Sequence, residues 1–437
     1  MKKLFYFWNE LKNTFWFIPS FLITVAIFLS LGFLFLDSQV TIKPEGITAF
    51  LFTGSAKAAY DILSTISGAM IGVAGTVFSI TLVALTLASS QFGPRLIRNF
   101  MYDRINQVVL GSYAATYVYC LIILNSIKDN DQIQFIPSFS ILFALLATVV
   151  NIILLVIFFH HITTNIQADN IIAEISNSLS KTLSDFFPDQ IEEGAVGNSE
   201  EEANKETSKC VHHQSLVAAA HGYMRYVDID SLIKLGVKHE VIVELFYRPG
   251  DYLVENQEIG RVHGQESLKD EVLSEFRSQF IFGKSRTKEQ DLEHSIHQLV
   301  EIASRALSPG INDPFTAISC INNLTSVMCY LAKAQFPSSN RYDESGELRL
   351  VTKVLTFDGM LGAAFNQIRQ YSRGNPSVVI RLMEALETIN DFARKSGFHE
   401  KAIKKHAQMV LNMAEKSFEE KNDLEDLRSR SQKILSE

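Results

Sequence analysis

Six small or hydroxyl side chains, Gly68, Gly72, Gly75, Ser79, Thr86 and Ser90, recur at spacings of three, four and seven. On a helix that repeat brings them close to one face, and Ser64 extends it. Such a face has two chemical uses. It lets another helix approach closely. Or it lines a narrow watery path where hydroxyls and backbone carbonyls meet ions. Just beyond it stand Arg95, Arg98 and Arg104. Arginines there either anchor the chain to anionic lipid or ring the mouth of a path and favour anions. Ser90 to Arg98 is only about two helical turns.

A second constellation lies in the run SPGINDP. Ser308-Pro309-Gly310 breaks one helical pattern, and Asp313-Pro314 fits an N-cap followed by Pro at the next helix's first position. The structural reading is a tight interhelical turn. The chemical one is an anion held by Gly310, Asn312 and the new helix N-terminus, with Arg286 and Arg305 as helpers. Asp291, Glu293, His294, His297 and Glu301 crowd the preceding helix. At that spacing they fit a solvated face better than a metal site, so no metal is expected.

The elements that position these residues divide the chain in two. Residues 1–165 carry 9 Lys+Arg and 7 Asp+Glu, and the rest carries 31 and 41. Four uncharged apolar stretches fill the first part, near Phe15–Leu36, Ile62–Ala88, Val108–Ile127 and Phe139–Phe159. Each reaches the length a helix needs to span a bilayer. The first is too long for a signal peptide and no small-residue cleavage pattern follows it, so it reads as an anchor. Lys2, Lys3 and Lys12, then Arg95, Arg98 and Arg104, stand on one side. The other loops are balanced or acidic. The positive-inside rule then puts both termini in the cytoplasm. No charged side chain lies within a span, which weighs against a proton-coupled carrier. His160 and His161 close the fourth span as a polar helix end.

The acidic remainder lacks the basic footprint of a nucleic-acid binder. An amphipathic helix with Ile162, Ile166, Ile171, Ile175 and Leu179 leaves the last span, and an acidic linker follows. Alternation through HGYMRYVDI and HEVIVELFYRPGDYLVENQEIGRV, with turns at Pro249-Gly250-Asp251 and Glu255-Asn256, predicts a small β module. Its pattern resembles the barrel-sandwich hybrid of biotinyl and lipoyl carriers. Lys234 and Lys238 are the attachment candidates by position, but neither has a Met-Lys-Met context, so the module reads as structural. Helical periodicity resumes from Leu292, and Leu348–Leu386 and Glu400–Leu435 read as further amphipathic helices. The domains expected are 1–165 membrane, 166–212 helix and linker, 213–264 β module and 265–437 helical. No phosphate loop, dinucleotide fingerprint or nucleophile elbow is found, so no cofactor and no enzymatic activity are expected. The four cysteines read as free thiols.

Three segments carry a family resemblance. They are SGAMIGVAGTVFSITLVALTLASSQFGPRLIRNFMYDRINQVVLGSYAATYVYCLIIL (Ser67 to Leu124), HGYMRYVDIDSLIKL with VELFYRPGDYLVE, and RTKEQDLEHSIHQLVEIASRALSPGINDPFTAISCINNL. From the first span to about Leu331 the chain resembles the bacterial domain-of-unknown-function 2254 family of predicted membrane proteins. The resemblance implies a bacterial inner-membrane protein with a cytoplasmic C-terminal half, and it supplies no catalytic residue. The expectation is an α-helical membrane protein with four transmembrane helices and a cytoplasmic α+β domain, which contains a small β-barrel-like module and a helical bundle. Its partners would be the lipid bilayer, further copies of itself and ions, and no nucleic acid. The expected function is an oligomeric pore or ion channel lined by the second span and regulated by the soluble part. The alternative is a non-conducting membrane-anchored sensor or scaffold.

Overall fold

The computed structural model describes residues 11–12, 14–40, 55–93, 103–130, 133–165, 167–187, 199–287, 290–396 and 399–436. They fall into two compact units, Met1–Asn170 and Ile171–Glu437.

In the first unit, α1 (Phe17–Gln39), α2 (Ala56–Phe92), α3 (Arg104–Ser126) and α4 (Ser138–Asn165) are each long and apolar enough to cross a membrane. A short antiparallel hairpin, β1 (Lys128–Asn130) with β2 (Ile133–Phe135), joins α3 to α4. The Asp103 side chain caps α3 by accepting from Ile105 N, and Gly93, at φ 112°, ends α2. That φ favours glycine, which explains the stop at this position. Helix α3 is the centre of the unit. Of its most apolar window 44% is buried, against 11–22% for the other three, and α1, α2 and α4 all pack on it.

Lipid gives no hydrophobic drive between helices, so close packing and internal hydrogen bonds must hold the unit together. Tyr113, Tyr119, Phe158, Leu63 and Ile123 are fully buried. Asn151 of α4 is buried as well and gathers three elements. Its Oδ1 accepts from Ser112 Oγ at 2.6 Å, and its Nδ2 donates to Thr116 Oγ1 at 2.8 Å and to Met70 Sδ at 3.5 Å. Its backbone carbonyl accepts from Tyr113 OH at 2.7 Å. Asp37, at the end of α1, caps α4: it accepts from Phe139 N at 2.8 Å, Ser140 N at 3.0 Å and Ser140 Oγ at 2.6 Å. Buried polar groups in such a setting need these partners. Gly111 sets the α1–α3 approach, because a Cβ there would stand 2.8 Å from Pro19 Cα and 2.9 Å from Leu22 Cδ1. Gly111→Val therefore forces the two helices apart. It should lower stability by about 1–3 kcal/mol as an overpacking change, read as an earlier thermal transition in detergent.

The second unit begins with α5 (Ala168–Phe186), most of which lies within it, and α6 (Ser199–Ser208). Strands β3 (His212–Val217) and β4 (Gly222–Val227), helix α7 (Ile229–Lys238), and strands β5 (Ile242–Leu245), β6 (Tyr252–Leu253) and β7 (Glu258–Gly264) follow. Then come α8 (Asp270–Arg277) and β8 (Phe280–Gly283). Two helices, α9 (Leu292–Ala306) and α10 (Pro314–Leu331), precede β9 (Asn340–Tyr342) and β10 (Leu348–Val351). Four helices complete the unit: α11 (Phe357–Tyr371), α12 (Pro376–Ser396), α13 (Glu400–Ala414) and α14 (Lys421–Leu435).

The strands form two open sheets, ordered β3-β7-β5-β10-β9 and β6-β4-β8. This corrects the barrel-like module. The reason is long-range pairing: β10 joins β5 in parallel, and β8 joins β4 antiparallel. The sheets thus recruit strands from beyond Gly264, and each keeps its edges. The helical expectation from Leu348 is also corrected at its start, where Leu348 and Leu350 alternate inward as a strand. Lys234 and Lys238 stand on α7, not on an exposed hairpin. Leu216, Val243, Leu253, Phe276 and Leu350 form the shared core of sheets and small helices.

Candidate functional site

At 100° per residue, the six small positions of α2 fall within about 60° of one another. All six are exposed in the chain. A Cβ added at Gly68, Gly72 or Gly75 would meet nothing within 4 Å. The opposite face, with Ile66, Met70, Ala74, Val77, Ala84 and Ala88, is the one buried. Among the described residues the small stripe therefore packs against no other helix.

The hydroxyls of this face bond backwards. Thr76 Oγ1 donates to Gly72 O at 3.2 Å, Ser79 Oγ to Gly75 O at 2.9 Å, Thr86 Oγ1 to Leu82 O at 2.9 Å and Ser90 Oγ to Leu87 O at 2.8 Å. With each proton turned to the helix, the oxygens present lone pairs outward, which makes an acceptor surface. Exposed Ile71, Phe78, Leu82 and Val83 flank it.

Helix α2 starts at Ala56, earlier than the apolar run beginning at Ile62, because Ser55 caps it. Lys57 and Asp61 thereby join the helix, exposed and on the same stripe. Both precede the apolar run that begins at Ile62. The Ser55 cap ahead of an Ala-rich turn was the signal for the earlier start. The helix has 37 residues, about 55 Å at 1.5 Å per residue, against a hydrocarbon core of about 30 Å.

Of the basic residues, Arg104 opens α3 and is exposed, whereas Arg95 and Arg98 lie outside the described residues. Next to Arg104, Asp103 pairs with His161 of α4, fastening the start of one helix to the end of another.

In the second unit the SPGINDP run is an interhelical turn closed by its own bonds. Asn312 N donates to Ser308 O at 2.9 Å and Asp313 N to Ala306 O at 2.8 Å. Asp313 caps α10, accepting from Thr316 N at 3.1 Å and Thr316 Oγ1 at 2.6 Å. Asn312 adopts φ 50°, and Gly310 is exposed. Arg305, in the last turn of α9, is half-buried.

Arg286 is placed elsewhere. It grips Asp291 from Nε at 2.5 Å and Nη2 at 2.7 Å, and donates from Nη1 to His297 Nδ1 at 2.9 Å. Asp291 starts α9 and the turn follows its end; fifteen residues put them about 22 Å apart. Arg248 reaches the same cluster through Glu293 at 2.7 Å. Gln290 pairs with Val227 through both its amide nitrogen and its carbonyl oxygen, like an added strand residue. These contacts tie the three-stranded sheet to α9.

Two buried histidines of this unit give a pH dependence. Burial pushes His263 and His406 below the usual imidazole value. Glu244 opposes that at His263, while His213 and Arg261 reinforce it; Asp358 opposes it at His406, while Lys405 and Arg369 reinforce it. An unfolded imidazole binds its proton near pH 6.5, and the folded ones do so only at lower pH. The stability they contribute is full above about pH 6.5 and is lost as pH falls through the folded values. The urea midpoint should drop between pH 7 and pH 5, and His263→Gln with His406→Gln should flatten that slope.

The arrangement defines a class: four apolar helices, each long enough to cross a membrane, and a unit of open sheets and packed helices. Residues 12–388 match the family described as "Predicted membrane protein (DUF2254)", and the chain belongs to that family. It is 29% identical to the uncharacterized protein Mb1321c of Mycobacterium bovis over 95% of this chain and 79% of that protein. The same figures hold for the uncharacterized protein Rv1290c of Mycobacterium tuberculosis. No solved structure matches the chain.

Proposed function

We propose that this chain is the protomer of a homo-oligomeric pore in the bacterial inner membrane, with the small face of α2 lining the path. Both termini lie in the cytoplasm, and the second unit regulates the path without catalysing a reaction. The observation that carries this is the outward stripe from Gly68 to Ser90, exposed along a helix whose other face is packed. Between the four helices, buried side chains such as Leu63, Tyr113 and Phe158 form an apolar core. A path then needs several copies around the stripe.

The test is ion flux across liposomes holding the purified protein, with particle mass measured by light scattering. Flux from an oligomer supports the pore, and a strictly monomeric particle overturns it. A non-conducting sensor or scaffold is the second reading. The backward-bonded hydroxyls favour it, since their donors are satisfied without water. An oligomer without flux under any ion gradient would select it.

A further inference from the structure

The end of α11 and the end of α13 border an open surface cavity of about 360 Å³, lined by Arg369, Arg373, Met409, Asn412, Met413 and Lys416. Three cations and no carboxylate face it. This is unusual in a unit whose residues 171–437 hold 31 Lys+Arg against 40 Asp+Glu. Several other basic side chains of the unit are paired: Arg381 with Glu384, Arg430 with Asp426 and Glu384, Lys405 with Asp358. Among the described residues these three show no such pair. The Nε of Arg369 is buried without a hydrogen-bond partner. Of the neighbouring carboxylates, Glu415 is engaged by Arg428 and Glu420 caps α14.

A helix C-terminus favours one nearby cation through its dipole, which explains Arg369 in the last turn of α11. It does not explain why Arg373, from the following turn, and Lys416, from beyond α13, converge on the same space. Three like charges around one cavity repel unless an anion sits among them. The helix ends are themselves partly negative, so the side chains must hold it. Asn412 accepts from Gln408 at 2.8 Å, which leaves its own N–H groups as donors. Met409 and Met413 add an apolar wall that suits an organic portion.

We propose that this cavity binds a phosphate-bearing small molecule, with the phosphate oxygens taken by Arg369, Arg373 and Lys416. Guanidinium forks match phosphate oxygens bidentately. The proposal does not depend on conduction, because binding is read directly.

The experiment uses the full chain in neutral detergent at constant ionic strength. Inorganic pyrophosphate is titrated by calorimetry, and dioctanoyl phosphatidic acid in the same micelles forms a second arm. The expected result is saturable binding at one site per chain in at least one arm, weakened tenfold or more by Arg373→Gln with Lys416→Gln. Both side chains are exposed, so folding should survive, and an unchanged urea midpoint checks it. Lys234→Gln with Lys421→Gln, exposed cations outside the cavity, should bind like the parent chain. Binding of pyrophosphate alone marks a soluble phosphate as the source; binding of the lipid marks a headgroup. Absence of saturable binding in both arms, or equal affinity in the double variant, overturns the proposal.

Discussion

Asp291→Ala should lower the stability of the second unit by about 3–5 kcal/mol, the loss expected when one partner leaves a buried ion pair. The Asp291 side chain is 3% exposed and that of Arg286 19%. The guanidinium loses a two-pronged partner and stays largely desolvated. The same carboxylate also accepts from His294 N at 3.2 Å, so α9 loses its N-cap. Glu293 Oε2 stands 3.9 Å from Arg286 Nη2 and already serves Arg248, so it replaces little of the loss. Asp291→Asn keeps an acceptor for the cap and should cost less. Urea unfolding of the detergent-solubilised chain, followed by circular dichroism, reads both. A change below about 1 kcal/mol for Asp291→Ala would mean the pair does not hold this junction. Gly250 gives a related check. At φ 100°, its added Cβ would stand 2.5 Å from Asp291 Oδ2, so Gly250→Ala strains the backbone and displaces the carboxylate together.

Gly72→Leu and Ser79→Leu should each reduce flux at least tenfold while leaving the oligomer's mass unchanged. Among the described residues nothing lies within 4 Å of a Cβ added at Gly72, so a leucine fits the protomer and projects outward. In a narrow lined path a side chain of that size narrows or dewets the passage. If the stripe were only a contact between copies, the same leucines would hold the helices apart and the mass would fall. Flux and mass measured on one preparation separate the two.

The four long apolar helices were legible because each is an uninterrupted apolar run of bilayer length, a signal that needs no tertiary information. The SPGINDP turn was legible for a similar reason: Asp313 and Pro314 are local start signals, and the cap they predict is present. The sheets were not. Strand β10 is four residues long and pairs with β5 across roughly a hundred positions, which no local alternation encodes.

The site was legible only as a stripe. The spacing from Gly68 to Ser90 gives a face, but not whether that face meets its own bundle or turns away from it. Only packing decides, and it turns away. Asp37 lies just past the first apolar run, yet it caps α4 from about a hundred residues off. Arg286 read as a helper of the turn, yet Asp291 holds it at the far end of α9. Partner choice among charged residues depends on tertiary geometry, and composition is silent on it.

The most direct measurement of the central claim is the reactivity of a cysteine placed on the stripe. Ser79→Cys, with Cys210→Ser to remove the one native thiol that is not buried, is reconstituted and treated with a charged, water-soluble methanethiosulfonate. A water-filled path lined by α2 predicts rapid modification of Cys at this position and a matching fall in flux. A thiol that stays unmodified while flux persists would contradict it, because the conducting path would then lie elsewhere.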